Sequence, residues 1–253
     1  MPSHSAEAIV LRQYSLAEAD RIVVFFSREY GKIRAVAKGA KKPRSHLGGC
    51  LEPLNQIQIE FFAKEGRDLG RVTHCEMLHS FLGANPVPEN VVLLSYLGEI
   101  INELVQENNA NLLLYRLFLA TLRAGEAMGM NQSLVRYFEF WSLKLSGLLP
   151  NYDYCSSCSR CVKDVGFYAW LEAGQARCEA CAANKGIRIR PAAAGVLQSI
   201  WELPPERFAS RPLPATAAED LERLSRKLFE WHLEKQFKSL PAVRALFADE
   251  QNR

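Results

Sequence analysis

In the first eighty positions apolar residues recur at every second place or gather in short β-rich runs. Ala8-Ile9-Val10-Leu11, Arg21-Ile22-Val23-Val24-Phe25-Phe26 and Lys32-Ile33-Arg34-Ala35-Val36-Ala37 read as strands, and Glu29-Tyr30-Gly31 closes a hairpin between the last two. Asn55 to Phe61 alternates strictly. Ile57, Ile59 and Phe61 share one face and Gln56, Gln58 and Glu60 the other, as a half-buried strand requires. Gly70 to Cys75 predicts a fifth strand. Five short antiparallel strands in this length fit a small β-barrel, for which the OB-fold is one leading candidate.

Around Pro86-Val87-Pro88 the pattern changes, and a boundary is placed there. Glu89 to Glu107 carries Val92, Leu93, Tyr96, Leu97, Ile100, Ile101 and Leu104 at helical spacing. Leu112 to Met128 is apolar nearly all round, which predicts a buried helix. Asn131 is a good N-cap for a third, whose stripe of Leu134, Phe138, Trp141, Leu145 and Leu148 runs toward the stops at Gly147 and Pro150. Helices resume over Pro191 to Trp201. They return behind Thr216-Ala217-Ala218-Glu219, a capping-box pattern followed by Leu221, Leu224, Leu228 and Trp231 on one face. Pro204, Pro205, Pro212 and Pro214 predict a loop between these two. The chain is therefore α+β and multidomain. A five-stranded barrel spans residues 1–82, and a helical domain in two parts, 83–150 and 189–253, is interrupted by a Cys-rich module at 151–188.

Composition removes several classes. With 253 residues, 48% of them hydrophobic, the chain has ample material for a core and is no disordered segment. No window approaches the roughly 18 consecutive apolar residues of a spanning helix. The N-terminus has no basic n-region and no long apolar run, so a soluble, cytoplasmic protein is expected. Seven Cys is few and odd, and five fall within residues 155–181; this favours a metal site in a reducing compartment over a disulfide framework.

Net charge is only +3, but its placement is uneven. Residues 1–80 hold 12 Lys/Arg against 9 Asp/Glu, whereas residues 81–253 hold 19 of each. Arg28, Lys32, Arg34, Lys38, Lys41, Lys42 and Arg44 place seven cations in 17 residues, opposed only by Glu29. Such a cluster is either a solvated loop or a polyanion site that works by releasing condensed counterions. The context favours the second. Lys32 and Arg34 share an outward strand face with Val36, while Ile33, Ala35 and Ala37 face the core. That face runs into Lys38-Gly39-Ala40-Lys41-Lys42-Pro43-Arg44-Ser45, a loop expected to be flexible. A cationic strand face continued by a cationic loop suits a groove that tracks a nucleic-acid backbone. Tyr14, Phe25, Phe26, Tyr30, Phe61 and Phe62 are possible stacking platforms, with only a minority facing outward.

Cys155-x2-Cys158 and Cys178-x2-Cys181, 19 residues apart, have the spacing of a zinc site, because a tight turn presents both sulfurs of each pair to one ion. Cys161 makes Cys158-x2-Cys161 a second possible first pair. Local chemistry leans toward Cys155/Cys158, since Ser159 tolerates an unusual backbone angle after the turn better than Val162. Four thiolates close the coordination shell, so a structural Zn2+ is expected rather than a catalytic one. No phosphate-loop, dinucleotide, zinc-protease or serine-hydrolase motif occurs. His74, Cys75 and His79 lie close in sequence, but no regular spacing brings all three to one face. Two other readings stay open: a zinc-ribbon, sequence-specific transcriptional regulator reading bases near Arg160, Lys163 and Arg177, and a zinc hydrolase acting on nucleic acid.

Several stretches together resemble the RecO family of bacterial recombination mediators. They are Glu7 to Arg12, Glu18 to Val23, Gly31 to Lys42 with its A-K-G-A-K-K segment, Ser45 to Leu54, Arg136-Tyr137-Phe138-Glu139, Leu148-Leu149-Pro150 and Trp231 to Ser239. The resemblance spans nearly the whole chain. It implies an N-terminal OB-fold, a helical domain and an inserted four-Cys zinc module. It also implies a non-enzymatic activity: binding single- and double-stranded DNA, annealing complementary strands and, with RecR, helping RecA replace single-strand-binding protein (SSB) on DNA in the nucleoid. The family's DNA-contacting cations correspond here to Lys32, Arg34, Lys38, Lys41, Lys42 and Arg44. A contact for the acidic, apolar SSB tail corresponds to Arg136. The chain departs from the family pattern in Ser159, where many relatives have Gly, and in the extra thiol of Cys161.

Overall fold

A computed structural model describes residues 3–63, 69–83 and 87–251. Its first five strands are β1 (Ser3–Ser15), β2 (Arg21–Ser27), β3 (Gly31–Ala37), β4 (Asn55–Phe62) and β5 (Gly70–Ser80). They close into a barrel in the order β1-β2-β3-β5-β4, as expected of an OB-fold. One seam is not antiparallel. β4 runs against β1 and β5 against β4, so β5 runs with β3, and the two meet in parallel through Ala35–Gly70 and Val36–Arg71. β1 serves two neighbours, pairing with β4 through Ser3–Ile9 and with β2 through Ala8–Ser15. A register shift between Val10 and Arg12 bends it between them.

The alternation read from the sequence sorts the barrel faces. Ala8, Val10, Val23, Phe25, Ile33, Ala35, Ile57, Ile59 and Phe61 fill the interior. The β2–β3 hairpin turns over three residues, with Ser27 paired to Gly31. Gly31 sits at φ +72°, and a Cβ there would lie 2.0 Å from the Asn109 carbonyl oxygen, so no other residue fits.

β3 and β4 are not neighbours, so residues 38–54 must cross one end of the barrel. Ala40, Cys50 and Leu51 turn inward and join the core. The connection is pinned rather than flexible. The Gly39 N–H donates to Asp20 Oδ1 (2.8 Å) and the Lys41 N–H to Ala19 O (3.0 Å), and turns close from Lys42 to Gly39 and from Ser45 to Lys42. Cys50 is disulfide-bonded to Cys75 of β5. The expectation that the thiols serve only a metal site is thus corrected: these two lie outside the cluster at 155–181 and meet because the connection folds back over the barrel end.

α1 (Pro88–Leu104) starts with Pro at its first turn, after Val87; the breaker at Pro86 lies outside the described residues. α1 lies against the barrel, with Glu99 3.5 Å from Arg12. Residues 106–108 then pair along β3, the Lys32 N–H donating to Gln106 O and the Asn108 N–H to Lys32 O. α2 (Leu112–Met128) begins in the compact unit that runs to Leu119. α2 is also not buried all round. Leu114, Tyr115, Phe118 and Leu122 face inward while Leu113 is 59% exposed, because only one side of the helix meets the fold.

A second compact unit begins at Ala120. α3 (Gln132–Leu145) is capped as the sequence predicts, the Leu134 N–H donating to the Asn131 side chain. A three-stranded sheet of β6 (Phe167–Trp170), β7 (Gln175–Arg177) and β8 (Ile187–Ile189), in the order β7-β6-β8, carries the short α4 (Glu179–Ala182). α5 (Pro191–Glu202), α6 (Pro205–Ala209), α7 (Ala215–Leu233) and α8 (Leu240–Gln251) follow. α6 lies within the segment expected to be loop; Pro205 favours a helix start because its missing N–H has no partner there anyway. The capping box is absent, since α7 starts at Ala215 behind Pro214 and Thr216 is already inside it. Trp231 leaves the buried row of Leu221, Leu224 and Leu228 and is 51% exposed. Ten residues of helix turn it about 80° from Leu221. Among the described residues no helix is long and apolar enough to cross a membrane.

Arg136 is not a surface residue. It is 1% exposed, pairs with the fully buried Glu139 at 2.7 Å, and donates to Ser225 Oγ, which in turn donates to Glu139. An arginine enclosed between α3 and α7 and neutralised by its own helix cannot offer charge to a partner's tail. Removing it strands a buried carboxylate. Arg136→Met is expected to cost about 3–5 kcal/mol. Urea denaturation checks this, and adding Glu139→Gln to the variant should restore most of the loss.

Candidate nucleic-acid interface and metal centre

The β3–β4 connection puts its cations on the outside because its apolar positions plug the barrel. Lys38, Lys42, Arg44 and His46 form one wall of an open cleft of about 800 Å³, and Thr73, His74 and Glu76 of β5 form the other. Cys75 lies between the walls. Lys38, Lys42 and Arg44 are exposed and have no ion-pair partner among the described residues. Their charge is available to a ligand, with Glu76 the acidic side chain among the described residues that line the cleft.

The other three predicted cations sit elsewhere. Lys32 Nζ donates to the Asn102 carbonyl near the end of α1 (2.7 Å), and Arg34 lies 3.9 Å from Glu107. Both point outward from β3, but the segment after α1 covers that face. Lys41 Nζ donates to Ala17 O (2.6 Å). The aromatic candidates are reduced in the same way. Phe25, Phe26 and Phe61 are buried, and Phe26, although it faces out of the barrel, packs edge-on against Tyr115 of α2 (5.5 Å). Tyr30 and Phe62 are half-buried, leaving Tyr14 as the exposed ring, at 47%.

Tyr115 shows how closely α2 is joined to the barrel. Its hydroxyl donates to Glu7 Oε1 (3.0 Å), and burial followed by the Glu7 charge raises its pKa far above the ordinary tyrosine value. His74, Cys75 and His79 form no metal site: Cys75 points inward into its disulfide, and His79 packs edge-on against Phe81.

In the second unit Cys155, Cys158, Cys178 and Cys181 converge, with their sulfur atoms all within 4.8 Å of one another. Cys158 and Cys178 Sγ lie 3.7 Å apart. A tetrahedral ion with bonds of about 2.3 Å needs sulfur separations of about 3.8 Å, so the set fits a metal ion. The first pair rides on a tight turn in which the Cys155 N–H donates to Arg160 O and the Ser159 N–H to Cys155 O, both at 2.8 Å. Ser159 has φ +58°, the left-handed conformation its position suggested. The second pair starts α4, and the Ser156 N–H donates to Ala176 O (2.8 Å) to hold the two turns together. Cys161 is exposed and outside the cluster, its backbone bridging to Tyr154, so the four cysteines that could hold a metal ion are Cys155/Cys158 with Cys178/Cys181.

Cys155 and Cys181 do not ionise alike. Burial raises Cys155, but hydrogen bonds from the backbone of Cys178, Ser157 and Cys158 outweigh it and bring the thiol down to about 6. Cys181 is pushed up to about 12, chiefly by its hydrogen bonds to the Cys178 and Cys158 side chains. A divalent cation is what lets all four be thiolates together. All four corners are sulfur, leaving no open position for substrate. Of the residues offered as base readers, Arg177 is occupied, its guanidinium stacked 3.9 Å over the Trp170 ring.

Comparison with known proteins agrees with this architecture. Residues 1–81 match the family model described as Recombination protein O N terminal, and residues 87–241 match Recombination protein O C terminal. A protein named DNA repair protein RecO from Koribacter versatilis is 33% identical over 235 residues, covering 91% of this chain and 94% of its own. Proteins of the same name from Acetivibrio thermocellus and Pelotomaculum thermopropionicum are each 30% identical, covering 94% of this chain and 95% and 93% of their own. With both family models spanning most of its length and relatives of this similarity along nearly all of it, the chain belongs to the RecO family of DNA repair and recombination proteins.

Proposed function

We propose that this chain is a DNA-binding recombination mediator that works without covalent catalysis. It binds single- and double-stranded DNA, anneals complementary strands and, together with RecR, helps RecA load onto single-stranded DNA coated with SSB, in the cytoplasm at the nucleoid. The observation that carries the reading is the cleft whose wall presents Lys38, Lys42 and Arg44 without internal partners. Phosphates entering it release condensed counterions, which supplies affinity for any sequence. Annealing follows from the same physics: neutralised strands repel less and are held close together. Tyr14 is the ring available to stack on a base. SSB's tail is assigned to the helical unit as a whole, since Arg136 is enclosed.

The ion in the four-Cys site is zinc in this reading, and its role is to brace the module. Neutral to the chemistry of DNA, it holds the two cysteine turns together. Support comes from the all-sulfur ligand set and its near-tetrahedral spacing.

Three free cations in place of six lower the expected salt dependence. For single-stranded DNA log K should fall against log[salt] with a slope of about −2. Lys42→Glu with Arg44→Glu is expected to weaken binding by about tenfold or more on every sequence and to flatten that slope. Fluorescence anisotropy over several salt concentrations measures both, and binding indifferent to salt would overturn the reading. For the metal, purified protein should carry one zinc per chain by atomic emission. Cys158→Ser should lose the ion and melt at a lower temperature, while Cys161→Ser keeps it.

A further inference from the structure

We propose that the Cys50–Cys75 disulfide is a redox clasp on the cationic cleft. Closed, it fixes the spacing between the two walls and favours DNA binding; opened by a dithiol reductant, it lets the walls separate and weakens binding. The inference rests on the DNA-binding reading of the cleft given above.

Placement is the first ground. The bridge joins Cys50, at the far end of the β3–β4 connection, to Cys75, which lines the cleft between Thr73-His74 and Glu76. It therefore links the wall that carries Lys38, Lys42, Arg44 and His46 to the wall made by β5. The other anchors of the connection lead elsewhere. Its start is held at the β1–β2 turn, through Gly39 to Asp20 and Lys41 to Ala19. Its end is held at β4, where Asn55 Nδ2 donates to the carbonyls of Gly49 (2.9 Å) and Cys50 (3.1 Å). These contacts keep the connection on the barrel; toward β5 it is tied at its far end, where the Phe81 N–H just past β5 donates to Leu54 O (3.5 Å), and at the cleft by the bridge to Cys75.

The barrel does not depend on the bridge for closure. Leu51 is fully buried beside Cys50, and the Leu54 N–H donates to Val10 O (2.8 Å). Opening the bond accordingly loosens the cleft and leaves the strand ladder whole. Cys75 lines the cleft but is only 8% exposed, its side chain lying in the barrel core. A thiolate therefore reaches the bond when the connection lifts from the barrel end, and a DNA strand bound across the cleft would hold the connection down. Disulfides in a reducing compartment are typically transient and redox-sensing.

The step balances as ordinary thiol–disulfide exchange. A thiolate of the dithiol attacks Cys75 Sγ, the S–S bond breaks, and Cys50 leaves as a thiolate that takes up a proton. The second thiol of the reductant then attacks the mixed disulfide and releases Cys75 as a thiol. Two electrons and two protons pass to the protein, and the reductant becomes a cyclic disulfide. By linkage, whatever factor reduction takes from DNA affinity, bound DNA adds to the resistance of the bridge to reduction.

The test uses the full-length, metal-loaded chain and a labelled single-stranded oligonucleotide at one salt concentration. Oxidised protein, dithiothreitol-reduced protein and Cys50→Ser/Cys75→Ser are compared, with peptide mapping to follow the Cys50–Cys75 link and metal content checked in each. Loss of a preorganised wall is expected to weaken binding by about three- to tenfold in the reduced protein and in the double variant alike. Further dithiothreitol should leave the double variant unchanged, and saturating DNA should slow loss of the linked peptide. Equal affinity of oxidised protein and double variant overturns the clasp, provided Lys42→Glu/Arg44→Glu still loses binding; in that case the DNA-binding reading stands alone. Oxidised protein with no affinity for DNA overturns both. Failure of the linked peptide to form in air-oxidised protein overturns the clasp directly.

Discussion

Closure of a five-stranded barrel through a short parallel seam is the constraint on which the N-terminal unit depends. The seam involves only Ala35–Gly70 and Val36–Arg71, yet it forces β5 between β3 and β4. Once β3 and β4 are separated, the chain between them has to cross the barrel end. Crossing there demands apolar residues inside, and Ala40, Cys50 and Leu51 supply them. The hydrophilic remainder has nowhere to go but outward. A cationic wall over β5 is thus a by-product of how the barrel is sealed.

The same economy explains why the charge cluster divides. Cations on β3 itself lie where the segment after α1 pairs along the strand, so Lys32 finds the Asn102 carbonyl and Arg34 finds Glu107. An exposed strand edge invites pairing, and here the protein's own chain takes it up. Beyond the strand, on the connection, Lys41 turns to the Ala17 carbonyl, while among the described residues Lys38, Lys42 and Arg44 are left exposed.

In the second unit two separate polar devices sit within an apolar core that includes Leu134, Phe138, Leu221, Leu224 and Leu228. Arg136, Glu139 and Ser225 form a buried polar set between α3 and α7, the guanidinium paired with the carboxylate and both joined to the serine hydroxyl. Around Cys155, Cys158, Cys178 and Cys181 short turns and a three-stranded sheet bring sulfur atoms to tetrahedral spacing.

The sequence by itself determined the parts whose signal is local. Strand alternation sorted Ile57, Ile59 and Phe61 from Gln58 and Glu60, Asn131 announced its helix, and two Cys-x2-Cys turns announced a metal set, because each pattern is enforced by neighbours a few residues away. What only the tertiary structure decided involves partners far apart along the chain. Cys50 and Cys75 are separated by 25 residues and meet through barrel closure. Phe26 is capped by Tyr115, and Arg136 is enclosed by a helix that begins some eighty positions later. Periodicity tells which way a side chain points from its own element; it carries no information about what another element will lay over it. Which of the cations stayed exposed was settled by that covering, and only there.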